Sequence, residues 1–398
     1  MLRPDPRPAG GVPVAPVAIV HDYLTQRGGA ERVVLALAAA FPGAPIHTAL
    51  FDPSGTFPEL AALDVRPSPL DRVVPLRAHH RMALPFLAPT FSRLRVDAEV
   101  AVCSSSGWAH GAAVSGAKVV YCHTPARWLY QTGRYVDAAA GGARLAMAVL
   151  GPPLRRWDRR AAHTADRYLV NSEVVRQRVA EHYGIEAEVV PPPVDLDTSG
   201  PAEPVASLTP GFFLCVSRLL AYKNVGAVAE AFRRLPDHRL VIVGEGPLAE
   251  EITGRAPPNV TLLRRTSDAQ LRWLYASATG VVAASYEDFG LTPVEAAAFG
   301  TPSAVLRWGG FLDTTVEGTT GVFFDRPDPG PIADAVTEVA GRTWDRGVLT
   351  THAARYATPR FTARLRAVVD EVRSGRSPAV DHGGRGLPQD AQVPPERP

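Results

Sequence analysis

Short apolar runs alternate with longer amphipathic stretches between residue 14 and about residue 324 of the chain. A short apolar run bounded by turn residues indicates a buried strand, whereas apolar residues that recur with helical spacing indicate a helix. In the second predicted helix of the first half, Val175, Val179 and either His182 or Tyr183 would share one face. For this half, the pattern predicts strands at residues 14–20, 99–103, 118–122, 167–170 and 187–190, and helices at residues 30–40 and 172–183.

The same alternation returns in the second half of the chain. It predicts strands at residues 212–216, 240–243, 260–263, 280–284, 303–306 and 321–324, with helices between them. Repeated strand–helix units form parallel sheets that are covered by helices on both faces. We therefore expect an α/β protein with two doubly wound, Rossmann-like domains that face each other across a cleft, where the ligands of such folds bind.

Prolines and glycines mark the predicted domain limits. Pro191, Pro192 and Pro193 begin a stiff, polar segment that cannot continue a helix or a sheet. The chain of 398 residues is also longer than one hydrophobic core usually supports. The predicted organisation is a disordered leader at 1–13, an N-terminal domain at 14–195, a linker at 196–210, a C-terminal domain at 211–345, helices at 346–373 that can cross back to the first domain, and a disordered tail at 374–398.

Charge and cysteine content narrow the class of protein. The formal net charge of +2 does not favour nucleic acid as a partner. Cys103, Cys122 and Cys215 each lie in a predicted strand and have no metal-ligand spacing, so we expect reduced thiols. A signal peptide needs an apolar run near the start of the chain, and prolines interrupt the first twenty residues. No apolar run in the sequence is long enough to span a bilayer. The expected location is cytoplasmic.

The densest polar motif is EDFGLTPVE at residues 287–295. A local interpretation makes Thr292 the cap of a helix at 294–299, with Pro293 at its first position and Glu295 folded back in a capping box. Alternatively, Glu287 at the end of a strand and Glu295 one turn later border a single concave site. Carboxylates there would hold sugar hydroxyls, and the free amides of the helix start would hold a phosphate.

Three further segments carry candidate chemistry at predicted strand ends. Arg218 and Lys223 follow the strand at 212–216 and suit a leaving diphosphate, although a solvated basic turn is the simpler alternative. Gly28 and Gly29 lie between the first strand and helix, where they permit close backbone approach to a ligand or only a turn. His123 follows the strand at 118–122 and would face the cleft, although a lone histidine is more often structural.

Together these four segments resemble the retaining GT-B glycosyltransferases of family four, from the first loop to about Phe324. The most specific part of the resemblance is the pair Glu287 and Glu295 with seven residues between them. The GGAER loop and the YCHTP segment are similar to those of mannosyltransferases that build cell-surface polysaccharides from GDP-mannose. The resemblance implies transfer of a hexose from a nucleotide-sugar to a polysaccharide, glycolipid or lipid-linked acceptor, with retention of configuration.

The resemblance also implies a role for each residue. The catalytic group would be His123 near the reacting carbon, Arg218 and Lys223 on the diphosphate, and Glu287 on the transferred sugar. In this family the diphosphate itself helps to deprotonate the acceptor, so neither a protein nucleophile nor a metal is required. The donor-binding residues would be Gly28 and Gly29 at the phosphate, Gly244 and Gly246 near the base, the amides of Phe289, Gly290 and Leu291, and Glu295 at the ribose.

Two rival enzyme signals compete with this interpretation. Gly244, Gly246 and Ala249 fit a short dinucleotide fingerprint, with Arg264 and Arg265 as candidate 2′-phosphate ligands of an NADP-dependent oxidoreductase. However, this element follows the second strand of its half and has a proline in the helix start. The segment 195–197 has the D-x-D pattern of metal-binding transferases, but it lies in the predicted linker, so we interpret it as a turn and expect activity in EDTA. A non-catalytic sugar-nucleotide-binding protein is a further alternative.

Basic and apolar residues interleave in two segments of the first half. The first contains Arg72, Arg77, His79, His80 and Arg81 among Leu76, Met82, Leu84, Phe86 and Leu87, and the second contains Arg155, Arg156, Arg159 and Arg160 around Trp157, after the apolar residues 145–150. Such segments suit an anionic membrane surface, or are helices with an ordinary solvated face. We hypothesise peripheral attachment to the cytoplasmic membrane face.

Overall fold

The computed structural model describes residues 15–131, 141–194 and 197–375, without the side chains of residues 80, 81 and 141–147. Strands and helices alternate along these residues. The strands are β1 Ala15–His21, β2 Ile46–Thr48, β3 Val65–Pro67, β4 Arg95–Val96, β5 Ala98–Ser105, β6 Ala113–Val114, β7 Ala117–Cys122, β8 Arg167–Val170, β9 Glu188–Val189, β10 Phe212–Val216, β11 Leu240–Val243, β12 Val260–Leu263, β13 Ala278–Ala283, β14 Ser303–Leu306 and β15 Gly321–Phe324.

The α-helices connect these strands, and short 3₁₀ turns add to several of the connections. The helices are α1 Gly29–Ala40, α2 Val74–Ala78, α3 Leu84–Arg93, α4 Arg127–Tyr130, α5 Gly141–Ala162, α6 Glu173–Tyr183, α7 Val225–Ala231, α8 Ala249–Arg255, α9 Asp268–Ser277, α10 Leu291–Ala298, α11 Phe311–Thr314, α12 Pro329–Gly341, α13 Arg346–Ala353 and α14 Thr358–Arg373. Among the described residues, no helix is long and apolar enough to cross a bilayer.

The first large sheet has seven strands in the order β3-β2-β1-β5-β7-β8-β9. Its central strands β1, β5 and β7 pair in parallel, and their interior residues are almost entirely buried. Parallel strands buried on both faces need nearly continuous apolar sequence, which is what these strands have. The register places His21 of β1 opposite Ser104 of β5, at the carboxyl edge of the sheet.

The second large sheet has six parallel strands in the order β12-β11-β10-β13-β14-β15. Counted from β10, this is the 3-2-1-4-5-6 order of a Rossmann fold, in which the strand order reverses between β10 and β13. Successive strand residues pack on opposite faces. Phe213 and Cys215 belong to the core on one face, whereas Phe212 and Leu214 belong to the core on the other.

Compactness divides the chain into two units. The described residues up to Tyr168 and those from Leu365 onward form one unit, and Leu169–Arg364 form the other. In the first unit, the guanidinium of Arg366 in α14 donates to the carbonyl oxygens of Ala40 at 2.8 Å and Ala39 at 3.1 Å. The middle of the last helix is therefore tied to the end of α1.

The helix predicted at 294–299 starts earlier than expected. It is α10, Leu291–Ala298, and Gly290 at its N-cap takes the left-handed conformation with φ of 83°. No side chain caps this helix, so the predicted roles of Thr292 as cap and Pro293 as first helical residue are wrong. Glycine adopts this conformation without the steric cost of a Cβ, which lets the chain turn directly from the loop into the helix.

Other predictions in the first half differ in small ways. The helix predicted to begin at Ala30 begins at Gly29, and β2 and β3 have no predicted counterpart because three residues are too few to show a strand period. Tyr183, not His182, completes the buried face of α6. The predicted leader, most of the tail and the first two residues of the D-x-D segment lie outside the described residues.

Candidate functional site

Lys223 and Glu287 meet where the strand order of the second sheet reverses. Lys223 follows β10 and Glu287 follows β13, and the Lys223 ammonium donates directly to Glu287 Oε1. The hydroxyl of Ser285 donates to the same carboxylate oxygen at 3.0 Å. Ligands of open α/β sheets bind at this reversal point, outside the carboxyl ends of the strands. The structure therefore brings one predicted cation and one predicted glutamate into direct contact.

Arg218 is joined to this pair through Tyr222. The Arg218 guanidinium donates to the Tyr222 hydroxyl at 3.1 Å, and the Lys223 ammonium lies 5.0 Å from the centre of the Tyr222 ring. Asn224 closes the loop in a left-handed conformation with φ of 54°, and its amide donates to the carbonyl of Ala284 at 2.8 Å. This bond holds the cationic loop against the end of β13.

Gly244 and Gly246 allow the backbone after β11 to pack against this cationic loop. A Cβ at Gly244 would lie 1.9 Å from the carbonyl oxygen of Ser217, and one at Gly246 would lie 2.4 Å from that of Leu219. The Leu219 amide donates to the carbonyl of Glu245 at 2.8 Å. The glycines of the apparent dinucleotide fingerprint thus have a packing reason, whatever ligand they approach.

The predicted phosphate ligands of the rival oxidoreductase are engaged elsewhere. Arg264 pairs with Glu250, and Arg265 donates to Glu245 at 3.1 Å. Both arginines and both glutamates are exposed, so these contacts add little stability.

The amides at the start of α10 follow a well-supported turn. Phe289 is buried against Val294, and a Cβ at Gly290 would lie 2.5 Å from the ring of Phe311. Leu291 is the first residue of the helix. The first amides of a helix have no partner within the helix, so this turn can present donors to an anion.

Glu295 does not fold back onto the start of its own helix. One of its carboxylate oxygens accepts a hydrogen bond of 2.6 Å from the hydroxyl of Tyr275 in α9. Tyr275 is fully buried, and its ring stacks on Phe299 at 5.6 Å between centroids. The capping-box interpretation is therefore wrong, because a tertiary partner competes successfully for the carboxylate.

Sequence reasoning missed the residues that support the Glu287 loop. Gly310 donates to the carbonyl of Glu287 at 3.0 Å, and a Cβ at this position would lie 2.2 Å from the Cα of Phe289. Asp288 pairs with Arg178 of α6, whose guanidinium lies 5.5 Å from the ring of Trp308. The adjacent glycines Gly309 and Gly310 after β14 could have indicated close backbone packing. No pattern in the sequence indicates the long-range ion pair between Arg178 and Asp288.

The remaining predicted residues lie in the first unit. Gly28 is the N-cap of α1 with extended backbone, Gly29 is the first residue of that helix, and His123 follows β7. The imidazole Nε2 of His123 lies 2.8 Å from the hydroxyl of Ser104. A Cβ at Gly28 would lie 2.6 Å from a carboxylate oxygen of Glu31, so a side chain there would displace this buried glutamate.

The cysteines and the end of the D-x-D segment show no site chemistry. All three cysteines are buried and outside any disulfide, and burial raises the pKa of Cys103 and of Cys215 to about 12. Asp197 accepts from the backbone amide of Ser199 at 3.0 Å and from its hydroxyl at 2.6 Å, as in a turn. Within the described part of the chain, no three His, Cys, Asp or Glu side chains cluster as a metal site would require.

Two family models match successive parts of the chain. Residues 27–198 match the model described as Glycosyltransferase Family 4, and residues 201–342 match the model described as Glycosyl transferases group 1. The cationic loop and the motif from Glu287 to Glu295 fall within the second match, and His123 falls within the first.

Two curated proteins with similar sequences carry the same name. The chain is 32% identical over 245 residues to the D-inositol 3-phosphate glycosyltransferase of Mycolicibacterium smegmatis, which covers 54% of this chain and 56% of that protein. It is 30% identical over 264 residues to the protein of that name from Mycobacterium tuberculosis, which covers 56% of this chain and 54% of that protein. The chain thus spans about half the length of the curated relatives that it matches.

Solved structures with the same fold are more distant in sequence. Sucrose-phosphate synthase from Thermosynechococcus elongatus has a TM-score of 0.64 at 18% identity, covering 91% of this chain and 100% of that one. HepE of Anabaena in complex with UDP-glucose has a TM-score of 0.63 at 15% identity, covering 89% of this chain and 99% of that one. With the two observed sheets, these similarities confirm the predicted α/β fold class of two Rossmann-like, parallel-sheet domains. The two successive parts of the chain, at residues 27–198 and 201–342, are thus similar to Glycosyltransferase Family 4 domains and to Glycosyl transferases group 1 domains.

Proposed function

We propose that the protein is a glycosyltransferase that takes a hexose from a nucleotide-sugar donor. The observation that carries the proposal is the contact between Lys223 and Glu287 at the reversal point of the second sheet, with Arg218 beside it. A cation and a carboxylate at one edge suit the two halves of such a donor. The ammonium and guanidinium would bind the diphosphate, and the carboxylate would bind the hydroxyls of the sugar.

In the proposed reaction, charge develops on the diphosphate as the glycosidic bond to the sugar breaks. Fixed cations stabilise this charge more in the transition state than in the ground state, which is what accelerates the reaction. Glu295, held by Tyr275, would bind the ribose, and the turn from Phe289 to Leu291 would present amides to the donor. Gly28, Gly29, Gly244 and Gly246 would let backbone approach the donor.

We further propose that the configuration of the sugar is retained. Glu287 would bind the hydroxyls of the sugar, and its carboxylate accepts from both Lys223 and Ser285. Such partners weaken a carboxylate as a nucleophile, so Glu287 fits sugar binding better than covalent catalysis. The acceptor hydroxyl would then attack from the face that the diphosphate leaves, and a diphosphate oxygen would take its proton. No metal enters this scheme.

The most specific part of the proposal is the identity of the donor and of the acceptor. Resemblance to polysaccharide-building mannosyltransferases favours mannose from GDP-mannose and a polysaccharide, glycolipid or lipid-linked acceptor. The curated relatives are named for inositol 3-phosphate, and one fold relative was solved with UDP-glucose. These three sources suggest different bases and acceptors, so the nucleotide has to be identified by measurement.

Calorimetric titration with GDP, UDP, dTDP and NADPH tests this function. We expect one nucleoside diphosphate to bind in the presence of EDTA, and NADPH not to bind. The sugar nucleotide of that base should then be hydrolysed or transferred, and NMR of the product should show the anomeric configuration of the donor. Binding without turnover would favour a non-catalytic sugar-nucleotide-binding protein, and NADPH binding alone would favour the oxidoreductase.

We also propose that the first segment of basic and apolar residues binds an anionic membrane surface. Val73, Val74, Met82 and Phe86 are between 46% and 58% exposed, and Arg72 is exposed beside them. Leu76 and Leu87 are buried, so they belong to the core and not to this surface.

The second segment is not part of this membrane proposal. Its Trp157 donates to the hydroxyl of Ser92 at 2.8 Å and is held against the fold.

Vesicle sedimentation tests the membrane proposal. The wild-type protein should sediment with vesicles that contain anionic lipid and stay in solution with zwitterionic vesicles, because exposed cations and apolar side chains contribute together. The double variant Val74→Asp and Phe86→Asp should lose most of this sedimentation. Equal recovery of the wild-type protein with both vesicle types would contradict the proposal.

A further inference from the structure

Three buried side chains and the half-buried His123 form a polar chain in the first unit. His123 Nε2 lies 2.8 Å from Ser104 Oγ, and Ser104 Oγ lies 3.1 Å from His21 Nδ1. On its other side, His21 Nε2 lies 4.0 Å from a carboxylate oxygen of Glu31. Ser104, His21 and Glu31 are each at most 2% exposed. The chain links the ends of β7, β5 and β1 to the first turn of α1.

The direction of the hydrogen bond between Ser104 and His123 follows from the partners of Ser104. The carbonyl oxygen of Ser104 lies 3.0 Å from His21 Nδ1, and a carbonyl can only accept, so Nδ1 of His21 carries a proton. The Ser104 hydroxyl therefore cannot donate to that nitrogen. Among the described residues its other hydrogen-bond partner is His123 Nε2. A fully buried hydroxyl proton needs an acceptor, and His123 Nε2 is the one at hand.

Glu31 holds His21 in the state that this arrangement requires. Burial lowers the pKa of His21, but the hydrogen bond and charge of Glu31, together with Asp22 and the Ser104 carbonyl, outweigh burial, so the net pKa is raised. The amide of Gln26 donates to the Glu31 oxygen that faces His21, at 3.1 Å, and keeps that oxygen in place. The raised pKa favours a second proton on His21, at Nε2 toward Glu31, in addition to the one that Nδ1 holds toward Ser104.

We propose that Ser104 is a positioning residue that fixes the tautomer of His123, with His21 and Glu31 holding the Ser104 hydroxyl as a donor. Because Nε2 of His123 accepts from Ser104, neutral His123 carries its proton on Nδ1. Nδ1 is then the ring nitrogen through which neutral His123 donates, and an oxygen of a bound sugar is the acceptor that we propose for it. The catalytic part of this inference rests on the function proposed above, but the tautomer does not.

NMR on protein labelled with ¹⁵N-histidine tests the tautomer directly. Two-bond ¹H–¹⁵N correlation spectra distinguish a protonated from an unprotonated ring nitrogen, and a His123→Gln variant assigns the signal among the eleven histidines. In the wild-type protein, Nδ1 of His123 should be protonated and Nε2 unprotonated. A protonated Nε2 on neutral His123 would overturn the proposal without any variant.

Ser104→Ala should remove the preference. We expect the His123 signals to move toward a mixture of tautomers, and kcat to fall about tenfold with little change in the KM of the donor, as for the loss of one hydrogen bond that orients a reacting group. Ser104→Thr keeps the hydroxyl and should keep the wild-type tautomer. Unchanged His123 signals in Ser104→Ala would contradict the positioning role.

Ser105→Ala is the matched control. Ser105 follows Ser104 on β5, is equally buried, and points to the other face of the strand, where its hydroxyl contacts His110 Nδ1 at 2.8 Å. This variant loses the same group from the same strand, so it should leave the His123 signals and kcat unchanged. A loss of kcat as large as that of Ser104→Ala would mean that both effects come from general loosening of β5.

Failure of the proposed function and failure of this inference give different results. If the protein has no transferase activity but His123 is protonated at Nδ1, the tautomer assignment stands and the proposed catalytic role of His123 does not. If the protein is an active transferase but His123 is protonated at Nε2, the proposed function stands and the tautomer assignment is wrong. Glu31→Gln should lower the pKa of His21, as measured from the pH dependence of its ¹⁵N signals, whichever function the protein has.

Discussion

The variant Glu287→Gln is expected to lose about 10²-fold in the rate of glycosyl transfer, a loss typical of removing one charged group that stabilises a transition state. Glutamine keeps the volume of the side chain but not its charge, so the sugar hydroxyls lose their charged partner. The affinity for the nucleoside diphosphate should stay the same or rise, because Lys223 is released from its ion pair. Steady-state kinetics and calorimetry with the free nucleotide measure the two effects separately.

Lys223→Ala should differ from Glu287→Gln in its effect on nucleotide affinity. Removing the ammonium takes away a ligand of the diphosphate, so nucleotide affinity should fall along with the transfer rate. Glu230→Gln is the control, since Glu230 is an exposed glutamate of the same domain that is paired with Arg233, and both quantities should stay at the wild-type level. If Glu287→Gln transferred sugar at the wild-type rate, Glu287 would have no role in the reaction.

The variant Gly244→Ala is expected to lower the free energy of unfolding by about 3 kcal/mol, as overpacking of a rigid contact does. The added Cβ would lie 1.9 Å from the carbonyl oxygen of Ser217, and backbone cannot move aside as a flexible side chain can. The same displacement would shift the loop that carries Arg218, so nucleotide affinity should fall too. Urea denaturation followed by circular dichroism measures the loss of stability.

Gly254→Ala is the matched control for this prediction. Gly254 lies in α8, the helix that follows the glycine-rich turn, and a Cβ there would meet nothing within 4 Å. Alanine is the better helix former, so this variant should gain roughly 0.5 kcal/mol. Equal stability of the two alanine variants would show that the backbone around Gly244 adapts without cost.

The sequence was a reliable guide to the strands of the second sheet. The predicted strands at 212–216, 240–243, 260–263, 303–306 and 321–324 have the limits observed for β10, β11, β12, β14 and β15. A central parallel strand is buried on both faces, so its apolar run and its limits coincide along the chain. The motif from Glu287 to Glu295 and the cations at Arg218 and Lys223 were visible for a related reason, since each lies next to such a run.

Residues that act through distant partners could not be found in this way. Tyr275 supports Glu295, Arg178 pairs with Asp288, and Ser104 contacts His123, yet no local pattern marks any of the three supporting residues. Their importance comes from which strands are neighbours in a sheet and from which helix packs behind a loop. Spacing along the chain has no information about such neighbours.

The sequence by itself determined the α/β class, the strand positions and the residue types available at the strand ends, because burial in a parallel sheet acts on each segment locally. Only the tertiary structure decided which local possibility is realised. Thr292 and Glu295 could have closed a capping box, but the Tyr275 hydroxyl holds the glutamate instead. Gly244 and Gly246 match a dinucleotide fingerprint, but their close packing on the 217–219 backbone explains them without that cofactor. In the first case a tertiary hydrogen bond outweighs a capping preference of about 1 kcal/mol, and in the second the packing of two backbone segments accounts for the glycines.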